Sequence, residues 1–168
     1  MDRIKIKIPY KLICVIFGLL CVYCSDSPDV LWENAKLARD KNKFNESIIS
    51  LNEIIIKHSK HALASQANYQ IAEIYLNDIK DVDYAIEEYE KIIRNYPEAD
   101  EARKSVFMIA YSYNNSLQAY SDALEYYNMF KDKYPDDELI PSVDFELGNL
   151  KSLSNVIDSL NKTIQNNQ

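Results

Sequence analysis

Glycine is almost missing from this chain of 168 residues, which contains only Gly18 and Gly148. Gly-rich phosphate-binding loops and hairpin-rich β folds need residues with positive φ, so this scarcity argues against both. Acidic side chains outnumber basic ones, 26 against 19, which argues against nonspecific binding to nucleic acid. With 47% hydrophobic residues, the chain can still bury one core, and its length fits a single domain.

The chain has three cysteines, Cys14, Cys21 and Cys24, which all lie in or beside the N-terminal apolar segment. No cysteine occurs after Cys24. The rest of the chain can therefore form neither a disulfide framework nor a cysteine zinc site. The two histidines, His58 and His61, have no cluster of carboxylates or cysteines next to them. We therefore predict no metal, no cofactor, no small-molecule substrate and no catalytic residues, and hence a protein that is not an enzyme.

Residues 1–23 have the pattern of a secretory signal. Four basic residues, Arg3, Lys5, Lys7 and Lys11, precede an apolar run of 12 residues from Leu12 to Tyr23. Such a run is shorter than the roughly 20 residues that cross a bilayer as a helix. The pattern therefore predicts a signal peptide in front of a mature chain.

Cys24 lies where this apolar run meets the polar sequence Ser25-Asp26-Ser27. The segment resembles a bacterial lipoprotein signal, which implies that Cys24 is the first mature residue and carries the lipid. Residues 24–27 would then be a short tether. The alternatives are simple cleavage and an uncleaved anchor. The resemblance implies the periplasmic face of the outer membrane, with the periplasm or an inner-membrane anchor as alternatives.

The remaining chain repeats itself at an offset of 38 residues. The matching pairs are Ala72 with Ala110, Ala85 with Ala123, Tyr89 with Tyr127, Tyr96 with Tyr134 and Pro97 with Pro135. The repeat divides the chain into units of about 28–61, 62–100 and 101–138, followed by a partial unit or cap at 139–168. The solenoid predicted from these units covers residues 28–168.

Within each unit the apolar residues follow a helical period. Ile71, Ala72 and Tyr75 share one side of a first helix, and Ala85 and Tyr89 share one side of a second. The Tyr-Pro pairs end the second helices, since proline cannot continue a helix. Neither helix can bury its apolar side alone, so the units must stack. We therefore predict an all-α protein with about seven or eight antiparallel helices.

Small residues recur where two helices approach closely. These positions are Ala35, Ala72 and Ala110 on first helices, and Ser47, Ala85 and Ala123 on second helices. Their alternation with large residues, closed by proline, resembles the tetratricopeptide repeat. The resemblance implies a right-handed solenoid of about three and a half repeats, ended by a capping helix. We read Val156, Ile157, Leu160 and Ile164 as the apolar side of that closing helix.

The repeat spacing is longer than the usual tetratricopeptide unit, with one residue added in the inner turn of units two and three. With this longer spacing, the chain is similar to a branch of bacterial envelope proteins. The likeness is carried by the segments Leu31–Ala35, Phe44–Ile48 and Gln70–Tyr75. That branch includes the lipoprotein D family of outer-membrane β-barrel assembly and the Tol-Pal coordinator family. The resemblance implies a protein-binding scaffold that takes part in outer-membrane protein assembly or, alternatively, in Tol-Pal and cell-wall coordination. Expected partners are other envelope proteins or extended peptide segments.

Aromatic residues occupy one position in successive first helices, three residues before the small residue of each. We predict a partner-binding groove formed by Trp32, Tyr69, Glu73, Lys104, Phe107, Tyr111, Phe145 and Asn149. In the repeat that this chain resembles, first helices line the concave face. A second interpretation stays open, in which the rings pack between helices as core. Both can hold in part, because a ring has a buried edge and an exposed one.

Overall fold

The computed structural model describes residues 26–166, apart from the side chains of residues 157, 158, 160, 161 and 166. Within this range there are seven α-helices and no strand. The helices are α1 (Pro28–Asp40), α2 (Phe44–Lys57), α3 (Leu63–Glu73), α4 (Val82–Asn95), α5 (Asp100–Ser112), α6 (Tyr120–Lys133) and α7 (Ile140–Asn166). Each helix packs mainly against its neighbours in sequence. The predicted all-α architecture is confirmed and is consistent with a tetratricopeptide solenoid.

Two helices begin at side-chain caps, and one of them ends where the Tyr-Pro pair predicts. Pro28 opens α1, where its missing N–H costs nothing, and the Ser27 hydroxyl accepts a hydrogen bond from the Val30 N–H at 3.3 Å. Asp81 caps α4 in the same way, by accepting from the Tyr84 N–H at 3.2 Å. Tyr96 lies directly after α4 and ends it before proline, as predicted from the Tyr-Pro pair.

The core is built on the predicted small positions. All six are buried: Ala35, Ala72, Ala110, Ser47, Ala85 and Ala123. The large residues of the second helices, Leu51, Tyr89 and Tyr127, are also buried and lie in three successive apolar clusters along the stack. Close packing of this kind leaves little room for a larger side chain at a small position.

The residue added to units two and three lies in a π-helical turn. The turns Ile74–Ile79 and Tyr113–Leu117 continue α3 and α5, whereas α1 ends without one. Each first helix then closes on a residue with positive φ: Asn42, Lys80 and Gln118. Since each of these lies two residues before its second helix, the π turn takes up the extra residue without changing the start of the second helix.

The end of the chain differs from the prediction. We expected a first-type helix followed by a separate closing helix, but residues 140–166 form the single helix α7. No proline interrupts it after Pro141, and Gly148 has helical rather than positive φ. Val156 and Ile164, expected to cover the last apolar face, are exposed.

The N-terminal predictions lie outside the described residues. These are the signal at residues 1–23, the lipid at Cys24 and the start of the tether at residues 24–27. Between residues 26 and 166, no helix is both long enough and apolar enough to cross a membrane.

Candidate partner-binding face

The four aromatic rings of the predicted groove divide into two groups. Trp32, Tyr69 and Phe107 are half-buried and pack against the apolar clusters of their units. Phe145 is 66% exposed. The first three rings therefore contact the core along one edge and leave the other edge accessible. The core interpretation holds for that packed edge, and the groove interpretation stays a prediction.

Tyr69 and Glu73 lie one helical turn apart on α3, and both contact Tyr89 of α4. The two tyrosine rings meet edge to face, with centroids 5.3 Å apart. The buried Tyr89 hydroxyl donates to Glu73 Oε1 at 3.0 Å. Burial, and secondarily the charge of Glu73, raises the pKa of Tyr69 to about 12. The same causes raise the pKa of Tyr89 further.

These tyrosines predict a loss of stability at high pH. The pKa of each is raised above the ordinary value of 10, so as pH rises the unfolded chain releases these protons first. The stabilisation is complete below pH 10 and is lost as pH rises towards the pKa of Tyr69, about 12. We expect the free energy of unfolding, measured with urea, to fall across this range while tyrosinate absorbance rises. Tyr69→Phe should flatten the slope, and an unchanged stability up to pH 12 would contradict the assignment.

Phe107 lies among three other rings of unit three. Its centroid is 6.0 Å from Tyr127 and 6.1 Å from Phe130, both on α6 and both edge to face. On the other side it stacks on Tyr111 at 6.4 Å. Tyr111 is 42% exposed, and Lys104, one turn before Phe107, is also exposed. This helix therefore presents a stacked aromatic pair beside a cation.

Phe145 and Asn149 occupy the equivalent positions on α7, and both are exposed. Within residues 26–166, α7 continues where the earlier units turn back into a second helix, so Phe145 lacks the ring contacts that Phe107 makes with the second helix of its own unit. The structure therefore places it on the surface, although sequence reasoning gave it the same two interpretations as Phe107.

At the other end of the row, Trp32 and the exposed Lys36 lie next to a polar contact that the sequence did not reveal. Arg39 donates from Nε to Asp78 at 2.7 Å and from Nη1 to Gln70 at 2.9 Å. Asp78 belongs to the π turn after α3, so this contact joins unit one to unit two. It fixes the relative position of the first two helices of the row.

Similar polar contacts join the later units. The Ser65 hydroxyl donates to Glu101 at 2.9 Å, and the Tyr126 hydroxyl donates to Glu90 at 3.1 Å. The Asn114 amide donates to Glu146 of α7 at 3.0 Å. The partners are 32 to 36 residues apart, close to one repeat length, and that separation was the only signal for them in the sequence. The first and third of these contacts join successive first helices or the turn after them, and the second joins the second helices α4 and α6.

The described side chains include no group of three histidine, cysteine or carboxylate residues that could hold a metal ion. His58 lies at the end of α2, in the position that Tyr96 and Tyr134 occupy after α4 and α6. Its Nε2 lies 3.2 Å from the Asp26 carbonyl oxygen.

The aromatic face formed by the predicted groove residues offers ring edges, two lysines, one carboxylate and one amide. These groups suit a polypeptide with mixed side chains.

The tetratricopeptide repeat family model matches residues 66–99 and 104–137. These two stretches coincide with the helix pairs α3–α4 and α5–α6 and together cover less than half of the chain. No curated protein matches the chain. The tetratricopeptide prediction is thus confirmed for units two and three, whereas the resemblance to the assembly lipoprotein and the Tol-Pal coordinator stays a prediction. Repeats of this kind are typical of scaffolds that bind proteins or peptides and are not enzymes.

Proposed function

We propose that this chain is a non-enzymatic scaffold of the bacterial envelope, anchored by lipid at Cys24, that binds partner proteins on the aromatic face of its first helices. The observation that carries the proposal is the row of ring edges on α1, α3 and α5. These rings are held by core contacts on one side and accessible on the other. Aromatic anchors of this kind add little entropy cost on binding, because their rotamers are already fixed.

The chemistry of the face favours an extended peptide segment as the ligand. Lys36 and Lys104 are exposed cations, and Glu73 is a half-buried carboxylate that accepts from Tyr89. Charges of both signs beside ring edges can pair with peptide side chains while the rings contact apolar ones. In an envelope protein, this function fits outer-membrane protein assembly, with a partner subunit or a nascent strand as the bound segment.

The test is site-specific photocrosslinking of the full-length chain in envelopes that are afterwards solubilised in detergent. A photoreactive residue at position 111 should form covalent adducts with a partner. The matched control places the same residue at position 125, which is also exposed but lies on a second helix. Adducts at 111 and not at 125 support the proposal, and equal yields at both positions contradict it. Mass spectrometry of the adduct then separates a β-barrel assembly partner from a Tol-Pal or cell-wall partner.

A further inference from the structure

Two isoleucines of α2 are largely exposed to solvent. Ile49 and Ile56 are 61% and 76% exposed, and because they are seven residues apart they lie on the same side of the helix. The repeat supplies an internal comparison. The equivalent exposed positions hold Glu87 and Arg94 on α4, and Glu125 and Asp132 on α6. Of the second helices α2, α4 and α6, only α2 has isoleucine at these two exposed positions, whereas the other two have charged residues there.

The balance of basic and acidic side chains also differs between unit one and the rest of the chain. Residues 28–62 carry six basic and five acidic side chains, whereas residues 63–168 carry nine basic and nineteen acidic ones. Lys57 and Lys60 follow Ile56 and are exposed. Lys57 donates to Glu53, which lies between the two isoleucines in the sequence, at 2.7 Å. We call Ile49, Ile56, Lys57 and Lys60 the outer patch. It joins an apolar surface to cations on unit one, which has one more basic than acidic side chain, whereas units two and three each have an excess of acidic ones.

The outer patch lies close to the point where the chain enters the fold. His58 Nε2 is 3.2 Å from the carbonyl oxygen of Asp26. Cys24 precedes Asp26 by two residues, and two extended residues span at most about 7 Å. Ile56 precedes His58 by two residues. A lipid on Cys24 would therefore leave the C-terminal end of α2 beside the bilayer surface.

We propose that the outer patch rests on an anionic phospholipid surface and sets the orientation of the anchored solenoid. This inference depends on the N-terminal anchoring of the proposed function. The isoleucines would enter the boundary between headgroups and acyl chains, where burial of apolar area is favourable. The lysines are attracted by anionic headgroups, while the acidic units two and three are repelled by them. The aromatic face of those units then stays in the aqueous phase, where partners can reach it.

The experiment uses the full-length lipidated chain in vesicles of phosphatidylethanolamine and phosphatidylglycerol. A fluorophore that responds to polarity is attached to Ile56→Cys or, as the matched control one repeat later, to Arg94→Cys. The protein without an introduced cysteine measures any labelling of native cysteines. We expect the emission at position 56 to shift to the blue and to be quenched by a quencher carried on the lipid. At position 94 neither change should occur.

Two further comparisons make the result decisive. Adding Ile49→Glu to the position-56 reporter should abolish the quenching, and replacing phosphatidylglycerol with phosphatidylcholine should weaken it, while the protein still floats with the vesicles. If the protein floats but the fluorophores at positions 56 and 94 both emit at the wavelength typical of water, the outer-patch proposal is overturned and the anchoring stands. Absence of flotation overturns the anchoring itself. A blue shift at 56 without lipid quenching means that protein, such as a second copy, covers the patch, and it also overturns the proposal.

Discussion

A tryptophan at Ala110 is expected to unfold unit three or to destabilise it strongly. Ala110 is buried on α5 in a cluster that also contains Ala123 and Phe130 of α6. Overpacking a filled core typically costs about 1–3 kcal/mol and occasionally more. Adding an indole ring to the Cβ atom of alanine is a large change in volume. We therefore expect the loss in free energy of unfolding to lie at the upper end of this range or beyond it. Urea unfolding followed by circular dichroism measures it, and Ala72→Trp should behave alike in unit two.

The matched control is Gly148→Trp. Gly148 occupies the same repeat position as Ala110, one unit later, but a Cβ built there has no heavy atom within 4 Å beyond its chain neighbours and the nearby backbone of its own helix. Tryptophan also has a better helix propensity than glycine, by a few tenths of a kcal/mol. We therefore expect unchanged or slightly higher stability. If Ala110→Trp unfolds like the parent protein, the repeat register is wrong.

These small positions show what could be predicted from the sequence alone. An alanine that recurs at 38 residues within a helical apolar pattern has few explanations other than a close helix contact. The Tyr-Pro pairs were equally informative, since a proline after the first turn removes a helix hydrogen bond and clashes with the preceding turn. Such features depend on local chemistry and on repetition, and both can be read directly from the chain.

Other features depend on three-dimensional contacts that no local pattern specifies. The residue added before Val82 was compatible with a longer loop or a helical bulge, and the structure shows a π turn. The closing helix was expected to fold back, yet Gly148 is compatible with a continuous helix and the chain does not turn there. The contact of Arg39 with Asp78 joins two units through polar side chains that do not recur in the repeat.

The row of aromatic rings was predicted from the sequence, and its role in binding stays a prediction. The sequence did not separate the core edges of these rings from the exposed ones. Tyr69 and Phe107 share one repeat position with Phe145. Tyr69 and Phe107 pack on a tyrosine ring of the second helix that follows them, whereas Phe145 is 66% exposed. An identical place in a repeat thus acquires a different environment at the end of the stack. This difference makes Phe145 a natural control for Phe107.

Truncating Phe107 and Tyr111 should separate packing from binding. Phe107→Ala removes the ring that contacts Tyr127 and Phe130, and a core phenylalanine truncation typically costs about 3–5 kcal/mol. Because Phe107 is only half-buried, we expect a loss at the lower end, together with weaker partner binding. Phe145→Ala removes an exposed ring of the same row and should leave the free energy of unfolding nearly unchanged.

Tyr111→Ala should mainly affect binding. The ring is 42% exposed and stacks on Phe107, and its loss leaves the buried contacts of Phe107 with α6 in place. If Tyr111 is a hot spot, its truncation lowers partner affinity by about 2 kcal/mol or more. Thermal melts and quantitative pull-down of the photocrosslinked partner should be run on all three variants. A large fall in melting temperature for Tyr111→Ala with normal binding would assign the ring to the core. Normal binding by folded Phe107→Ala as well would move the partner site away from the first helices.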